Sequence, residues 1–367
     1  MEEVGRHVVA RVKQRLSSAY EPNPWIYWSD LLASASIGWL AFAGVIYAES
    51  FVLEVVCVVV AIFAMYRALV FTHELDHIPA GSLPGFRAAY HLLCGMPFSL
   101  PHFLYHGVHR IHHSARYGTH DDPEYIPYGK SGSLREPLLL LATGCLLPLT
   151  LLLRSLVLVP LGLALPRLRA WVDTKASSFV LKSDFVRELP AGAELRAWRL
   201  EEYSTSVFAW FAVIAIASGY LPGITLLIWA IVLIGAMSVN LVRALATAHK
   251  YTSEGRQLAF EEQIADSVNL DKFSVLNVLI APVGLGYHAA HHALPGLPYH
   301  ELGRAHRMLR QECQNGGHPL AFYEATRGST TLRAISNQIR RTLSSHPPPP
   351  GDGSQGAPPA TPTLPEV

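Results

Sequence analysis

The sequence predicts an all-α integral membrane protein, with four transmembrane helices in two hairpins and a histidine-rich metal site at one membrane face. Half of its 367 residues are hydrophobic and only 16% are charged, whereas a soluble domain carries about a quarter charged residues. Four apolar stretches each approach the roughly 20 residues that cross a bilayer. Most of the 18 histidines are clustered beyond the ends of these stretches, which indicates a shared site.

The four apolar stretches form two predicted hairpins. The first joins residues 31–48 to 51–71, and the second joins 203–220 to 224–246 through a Leu-Pro-Gly turn. Neither turn contains Lys or Arg, whereas the flanking segments do, so the positive-inside rule predicts cytoplasmic N- and C-termini. Arginine greatly outnumbers lysine, which is associated with GC-rich bacterial genomes, so we expect a multi-pass protein of a bacterial inner membrane.

A fifth apolar stretch, 137–165, is long enough to cross the membrane once. A single crossing would place the histidines before it and those near the C-terminus on opposite faces. Because Pro148, Arg154 and Pro160 interrupt it, we predict an interfacial or re-entrant segment.

Three short motifs contain most of the clustered histidines: "HELDH" at 73–77, "HRIHH" at 109–113 and "HAAHH" at 288–292. On a helix, positions i, i+3 and i+4 share a face, so each motif offers two or three imidazoles in one direction. One further histidine lies about one turn beyond the fourth helix. The candidate ligands are His73, His77, His109, His112, His113, His249, His288, His291 and His292.

Nine imidazoles exceed the needs of one metal ion, so the sequence predicts two. Imidazole binds Zn, Cu, Fe and Ni, and ligand type alone therefore does not identify the metal. His106, three residues before His109, is a possible extra ligand.

Two other functions fit parts of the pattern. "HELDH" matches the zinc-protease motif with Glu74 as general base, but a protease leaves the other two motifs unexplained. A histidine-rich metal transporter would need polar residues inside the spanning helices, which contain few. The net charge of +1 gives no indication of a nucleic-acid partner.

The three motifs together resemble those of the membrane fatty acid desaturase family. The resemblance extends to "RYGTHDDPEY" and "GYHAAHHALPGLPYHELGRAH" and covers roughly residues 30–310. It implies a mushroom-shaped fold, in which four membrane helices lie under a cytoplasmic helical cap that holds two irons. It also implies that the eight motif histidines are ligands, and His249 fits the place of a further ligand after the fourth helix.

The resemblance implies an O2-dependent oxidoreductase that introduces a C=C bond into the alkyl chain of a lipid. Hydroxylases and ketolases that act on lipids or carotenoids belong to the same superfamily and remain alternatives. The segment 78–108 separates the first two motifs. Related hydroxylases typically have these motifs much closer together, which favours a desaturase. The third motif begins with His288, where front-end desaturases typically have Gln.

Ligand histidines usually donate their second N–H to a carboxylate or carbonyl. The acidic candidates for this role are Asp76, Asp121, Asp122, Glu124, Glu262 and Asp266. At the predicted cytoplasmic end of the fourth helix, Arg243 could anchor a lipid phosphate, but we expect it to extend towards the aqueous phase.

The chain has no flavin, ferredoxin-type cysteine or haem motif, so its electrons are expected from a separate ferredoxin or b-type cytochrome with its reductase. Four cysteines without paired spacing predict a reducing compartment. The predicted organisation is a cytoplasmic N-terminal segment (1–30), a desaturase domain (31–310), a cytoplasmic extension (311–345) and a disordered Pro-rich tail (346–367).

Overall fold

The computed structural model is mostly helical and describes residues 2–79, 81–126, 133–182, 184–315, 323, 326–328 and 330–344. Its helices are α1 (Glu2–Arg15), α2 (Pro24–Ile46), α3 (Phe51–Leu69), α4 (Phe71–His77), α5 (Phe86–Tyr90), α6 (Val108–His112), α7 (Arg135–Gly144), α8 (Leu147–Leu153), α9 (Val159–Ala164), α10 (Pro166–Lys175), α11 (Gly192–Ala217), α12 (Ile224–Arg243), α13 (Phe260–Asp266), α14 (Val275–Ile280), α15 (His288–Ala293), α16 (Leu302–Asn315) and α17 (Thr331–Ser344). Two short strands, β1 (Asn269–Leu270) and β2 (Arg327–Gly328), pair in parallel.

The first predicted hairpin is present as α2 and α3. The Asn23 side chain accepts a hydrogen bond from the backbone N–H of Trp25 and so caps α2. Ser50 caps α3 in the same way through Leu53. The two helices pack closely because Gly38 faces Met65, where an added Cβ would lie 2.8 Å from the Met65 side chain.

Among the described residues, five helical stretches are long and apolar enough to cross a membrane, which makes this a multi-pass membrane protein. They are Ser17–Ile46, Phe51–His77, Leu147–Ala164, Gly192–Ala217 and Ile224–Ala248. Large apolar side chains on their outer faces are exposed, among them Val52 and Phe211, as expected for lipid contact. The cytoplasmic orientation of the termini stays a prediction.

The fifth stretch, Leu147–Ala164, is helical, but its partners are charged. After α9 the chain reverses and α10 returns alongside it, so that Arg169 lies against Gly162. The buried Arg154 guanidinium donates to Glu202 of α11 at 2.5 Å and to the carbonyl of Ala176 at 2.6 Å. These contacts favour a segment at the membrane boundary, since a full crossing would bring the charged α10 into the hydrocarbon.

The predicted boundaries are corrected at three helices. α2 begins at Pro24 instead of residue 31, because Asn23 caps it ahead of the apolar stretch. α11 begins at Gly192, well before the predicted start at 203, because its polar first turns lie outside the apolar stretch. α12 starts at 224 as predicted, and a π-helical turn, Ala244–Ala248, extends it. The predicted disordered tail, 346–367, lies outside the described residues.

Candidate metal centre

The first histidine motif forms α4, which follows α3 after a single residue. His73 and His77 share one face of this helix, with their ring centroids 4.8 Å apart. Glu74 is buried on another face, where it accepts hydrogen bonds from the Tyr27 hydroxyl at 2.6 Å and from the Tyr299 backbone N–H at 3.2 Å. Glu74 therefore anchors α4 to its neighbours, which does not suit the general base of a zinc protease.

The second motif lies on α6, which begins immediately after Gly107, and the φ of +76° at this glycine turns the chain into the helix. The N–H of Gly107 donates to Asp76 Oδ1 at 2.9 Å, and the Arg110 guanidinium donates to the Asp76 carbonyl at 3.0 Å. Asp76 thus fixes the position of α6 relative to α4, and the two motifs face each other.

The third motif forms α15, a short helix capped by a distant side chain. Asn269 Oδ1 accepts hydrogen bonds from the backbone N–H groups of Ala289 and Ala290 at 3.1 and 3.3 Å. These N–H groups have no partner within the helix. Asn269 itself is held by Thr326, whose hydroxyl accepts from the Asn269 amide at 2.9 Å.

His249 reaches the site through an irregular exit from α12. The π turn ends at His249, which is extended and pairs with Ser267 as an antiparallel bridge. The backbone N–H of Val268 donates to the Ala248 carbonyl at 2.9 Å. Single π turns are frequent at functional sites because they redirect the side chains that follow.

The candidate ligands gather into two groups of four, in each of which one nitrogen per histidine lies within 4.8 Å of all the others. Cluster one consists of His73, His77, His109 and His291. Cluster two consists of His112, His249, His288 and His292.

The ninth candidate, His113, lies between the clusters. Its Nε2 is 3.0 Å from Nε2 of His109 and 3.1 Å from Nε2 of His291. Its ring centroid is 4.3 Å from that of His292 in cluster two. All nine predicted ligands therefore meet at one place.

The nitrogen contacts in cluster two fit a bound cation better than a hydrogen-bond network. Nε2 of His249 is 3.2 Å from Nε2 of His112 and 2.9 Å from Nε2 of His288, which is 3.3 Å from Nε2 of His292. Each imidazole nitrogen has either one hydrogen or one lone pair, so neither His249 nor His288 can satisfy both of its contacts. A metal ion that accepts every lone pair satisfies them all.

Cluster one fits a cation for the same reasons. Nε2 of His113 has two nitrogen neighbours at hydrogen-bond distance and can satisfy only one of them. Among the described residues, neither ring nitrogen of the buried His73 has a hydrogen-bond partner, and Nε2 of His77 has none. Buried polar atoms without partners are unfavourable, so both clusters can hold a metal ion.

Three of the predicted carboxylates orient histidines of the clusters. His112 Nδ1 donates to Asp122 at 2.9 Å, and His109 Nδ1 donates to Glu124 at 2.6 Å. Asp266 acts through Tyr117, whose hydroxyl donates to Asp266 Oδ2 and accepts from His249 Nδ1, both at 2.8 Å. Such bonds fix the ring orientation and make the opposite nitrogen a better ligand.

Four other predicted residues lie elsewhere. Asp121 is exposed, and Glu262 binds Arg256 and caps α13 instead. His106 was a possible extra ligand, but its Nδ1 lies 2.8 Å from Asp76 Oδ1, in a separate group with His102. His106 does not join the paired clusters because three residues before His109 the chain is not yet helical, and its role as an extra ligand stays a prediction.

Burial and charge determine how the histidines bind protons. Burial opposes protonation of His112, but Asp122 and Glu124 outweigh it and raise its pKa to about 9. Burial and the neighbouring histidines lower the pKa values of His291 and His292 well below the ordinary value. These two are neutral at physiological pH and available to a metal, whereas binding at His112 must displace a proton.

Two apolar cavities lie beside cluster one and share several lining residues. The smaller, of about 70 Å³, is lined by His73 of cluster one. The larger, of about 240 Å³, lies between α12 and the α7–α8 segment. Tyr105, Phe179 and Arg243 line both. Together they form a passage suited to an alkyl chain.

The site includes two residues, Tyr117 and Asn269, that the sequence alone did not single out. Tyr117 lies inside the quoted "RYGTHDDPEY" motif, so its place four residues after His113 was the available signal. Asn269 gives no local signal, because its partners are far along the chain.

Comparison with known proteins places these features in a family. The family model described as fatty acid desaturase matches residues 49–324. The chain belongs to the fatty acid desaturase family. This confirms the resemblance drawn from the three histidine motifs. No solved structure matches this member of the family significantly.

One curated relative of this desaturase-family member is a ceramide hydroxylase from Caulobacter vibrioides (strain NA1000 / CB15N). The two are 38% identical over 289 residues, which cover 78% of this chain and 82% of the relative. The prediction of a desaturase in preference to a hydroxylase therefore lacks support. The motif spacing determines which helices bring the histidines together and does not determine the reaction outcome.

Proposed function

We propose that this family member is an O2-dependent hydroxylase that acts on an alkyl chain of a ceramide-type membrane lipid. The observation that carries the proposal is the extent of the similarity to the ceramide hydroxylase, which includes most of both chains. The passage between α12 and the α7–α8 segment supports a lipid substrate, because its walls are mainly apolar.

The reaction converts R–H, O2, two electrons and two protons into R–OH and water. An unactivated C–H bond offers no site for acid–base catalysis, so the chemistry requires a redox-active metal. Zinc has no redox chemistry, and imidazole ligation together with O2 use favours iron. We therefore assign two irons, with all nine predicted histidines as their ligands. When bound, these irons supply oxygen activation.

The protein's own residues hold and orient this centre. Asp122, Glu124 and the Tyr117–Asp266 pair fix three imidazole rings through their Nδ1 atoms. Burial of the ligand rings excludes water, and the passage aligns the alkyl chain beside cluster one. The two electrons come from a separate ferredoxin or b-type cytochrome with its reductase.

Desaturation is the second candidate, because the family match itself names desaturases. It would remove two hydrogens from neighbouring methylene groups and release both oxygen atoms as water. The fate of the oxygen atoms therefore distinguishes the two reactions.

The test is turnover of a saturated dihydroceramide under isotopically labelled O2, using membranes from a host that lacks the product. Mass spectrometry should find one labelled oxygen atom in the lipid. A His112→Ala variant should give no product, and the matched His106→Ala variant, outside both clusters, should keep its iron content. Loss of two hydrogens without label would establish the desaturase instead, and an unchanged ceramide would exclude this substrate class.

A further inference from the structure

Arg243 does not extend to the aqueous phase as the sequence predicted. It is the last residue of α12, it is half-buried, and it lines both cavities of the substrate passage. Its Nε donates to Asn240 Oδ1 at 3.2 Å. Among the described residues, its buried Nη1 has no partner with hydrogen-bond geometry. The neighbouring Tyr66 hydroxyl, in the same small cavity, donates to the Ile280 carbonyl at 2.8 Å.

A buried donor without a partner is unfavourable, and more so when the group is charged. The passage that Arg243 lines is otherwise mainly apolar, so a ligand that enters it brings the missing acceptor. Asn240 lines the same two cavities. Because its carbonyl oxygen is used by Arg243, its NH2 group offers a further donor to such a ligand.

The charges of the passage favour a neutral acceptor. Among the described residues that line the two cavities, Arg243 is the only Lys or Arg, and Glu124 is the only carboxylate. One cation and one carboxylate balance each other, which does not suit a negatively charged phosphate. A carbonyl oxygen provides the acceptor without adding charge.

We propose that Arg243, supported by Asn240, binds the carbonyl oxygen of an amide-linked acyl chain. Since Arg243 and His73 line the same small cavity, the bound carbonyl brings a carbon only a few bonds away against cluster one. Arg243 is a positioning residue that selects the polar end of the lipid for oxidation. The inference rests on the proposed function and adds the group recognised and the part of the chain that reacts.

The test measures binding of a dihydroceramide and of its thioamide analogue to the full-length protein in maltoside micelles. The thioamide has nearly the same shape, but sulfur is a weak acceptor. The variants are Arg243→Met and Arg243→Lys. The matched control is Arg304→Met, which removes an exposed arginine on α16 that pairs only with Glu301 among the described residues. Iron content and thermal stability are recorded for each variant.

The wild type and the Arg304→Met control should bind the amide about tenfold more tightly than the thioamide, or about 1.4 kcal/mol. Arg243→Met should bind the amide and the thioamide equally, and both as weakly as the wild type binds the thioamide. It should retain its iron. Arg243→Lys should retain part of the preference because it keeps the charge and loses the planar fork. Product analysis of the wild type should locate the new hydroxyl close to the amide.

Unchanged amide binding in Arg243→Met, or an equal preference in Arg243→Met and Arg304→Met, would overturn the proposal. So would a wild type that fails to bind the dihydroceramide, or a hydroxyl in the middle of the chain. If the preference depends on Arg243 but the wild type forms no hydroxylated lipid, the proposed function fails and the binding role stands. If the wild type hydroxylates the lipid near the amide but Arg243→Met does not change binding, the proposed function stands and the binding role of Arg243 fails.

Discussion

Asp121 and Asp122 are neighbours in the chain but have different surroundings. Asp122 is buried, accepts the N–H groups of Gly118 and Glu124 at 2.8 and 2.9 Å, and binds His112. Burial alone would raise its pKa, but His112 and these N–H groups outweigh burial and lower the pKa. Asp121 is exposed. Substituting each residue of this pair therefore distinguishes the effect of the bond to His112 from the effect of negative charge in the turn.

We predict that Asp122→Asn weakens metal binding at cluster two by about 10- to 100-fold, because His112 loses the carboxylate that orients it. Iron affinity, measured by titration against a competing chelator, is the readout. Asp121→Asn, which removes the same charge from the same turn, should leave the affinity unchanged. Equal effects of the two substitutions would mean that charge alone, without the bond to His112, explains the loss.

The residue-level site could be predicted only in part. Spacing within each motif places histidines on one helical face, and the nine predicted ligands do converge. The six acidic candidates were equivalent in the sequence, yet only Asp122, Glu124 and Asp266 orient histidines. What selects Asp122 is the left-handed φ of Gly118, +69°, which closes the turn on the Asp122 carboxylate.

At the scale of elements, the position of α15 depends on a cap supplied from outside the helix. Asn269 satisfies two N–H groups at its start. Asn277 has a matching role at α17, where it accepts from the N–H of Thr331 at 2.8 Å. The two asparagines provide a controlled comparison, since α15 contains three candidate metal ligands and α17 contains none.

We predict that Asn269→Leu and Asn277→Leu each lower the free energy of unfolding by about 1–2 kcal/mol, as expected for a lost cap. Thermal unfolding of purified protein checks this. Only Asn269→Leu should also lower the iron content, because α15 holds His288, His291 and His292. Full iron content in Asn269→Leu would show that metal binding, without the cap, positions this helix.

Element prediction succeeded where apolar composition decides the structure and failed where polar contacts do. The α2–α3 hairpin and the start of α12 were found because the membrane requires long apolar runs. The first turns of α11 were missed because their stability comes from contacts with α10, such as Arg199 with Asp173 at 2.6 Å. Neither side chain is apolar, and the pairing partner is distant in sequence.

At the scale of the whole molecule, the meeting of His112 with His249 restricts the topology. Their Nε2 atoms are 3.2 Å apart, so the chain between them crosses the membrane an even number of times. We predict that α11 and α12 supply these crossings. A third by Leu147–Ala164 would separate the two histidines, so we predict that this stretch stays on the side of the clusters, although its length and composition permit a span.

We therefore predict that the α9–α10 turn and the α11–α12 turn face opposite sides of the membrane. Leu165→Cys and Tyr220→Cys mark the two turns, and both native side chains are exposed. In a background without the four native cysteines, an impermeant maleimide should label position 220 in intact cells and position 165 only after permeabilisation. Labelling of position 165 in intact cells would require a different set of crossings.

We propose that two separate histidine clusters each hold one iron, and the iron stoichiometry of purified variants tests this assignment. We predict two irons per chain for the wild type and for His106→Ala, which lies outside both clusters. His112→Ala should lose the iron of cluster two, and His291→Ala should lose the iron of cluster one. Each variant should retain about one iron per chain, because only the cluster that lost a ligand is weakened. Two irons retained in both His112→Ala and His291→Ala, or a wild type that binds no iron, would contradict the account.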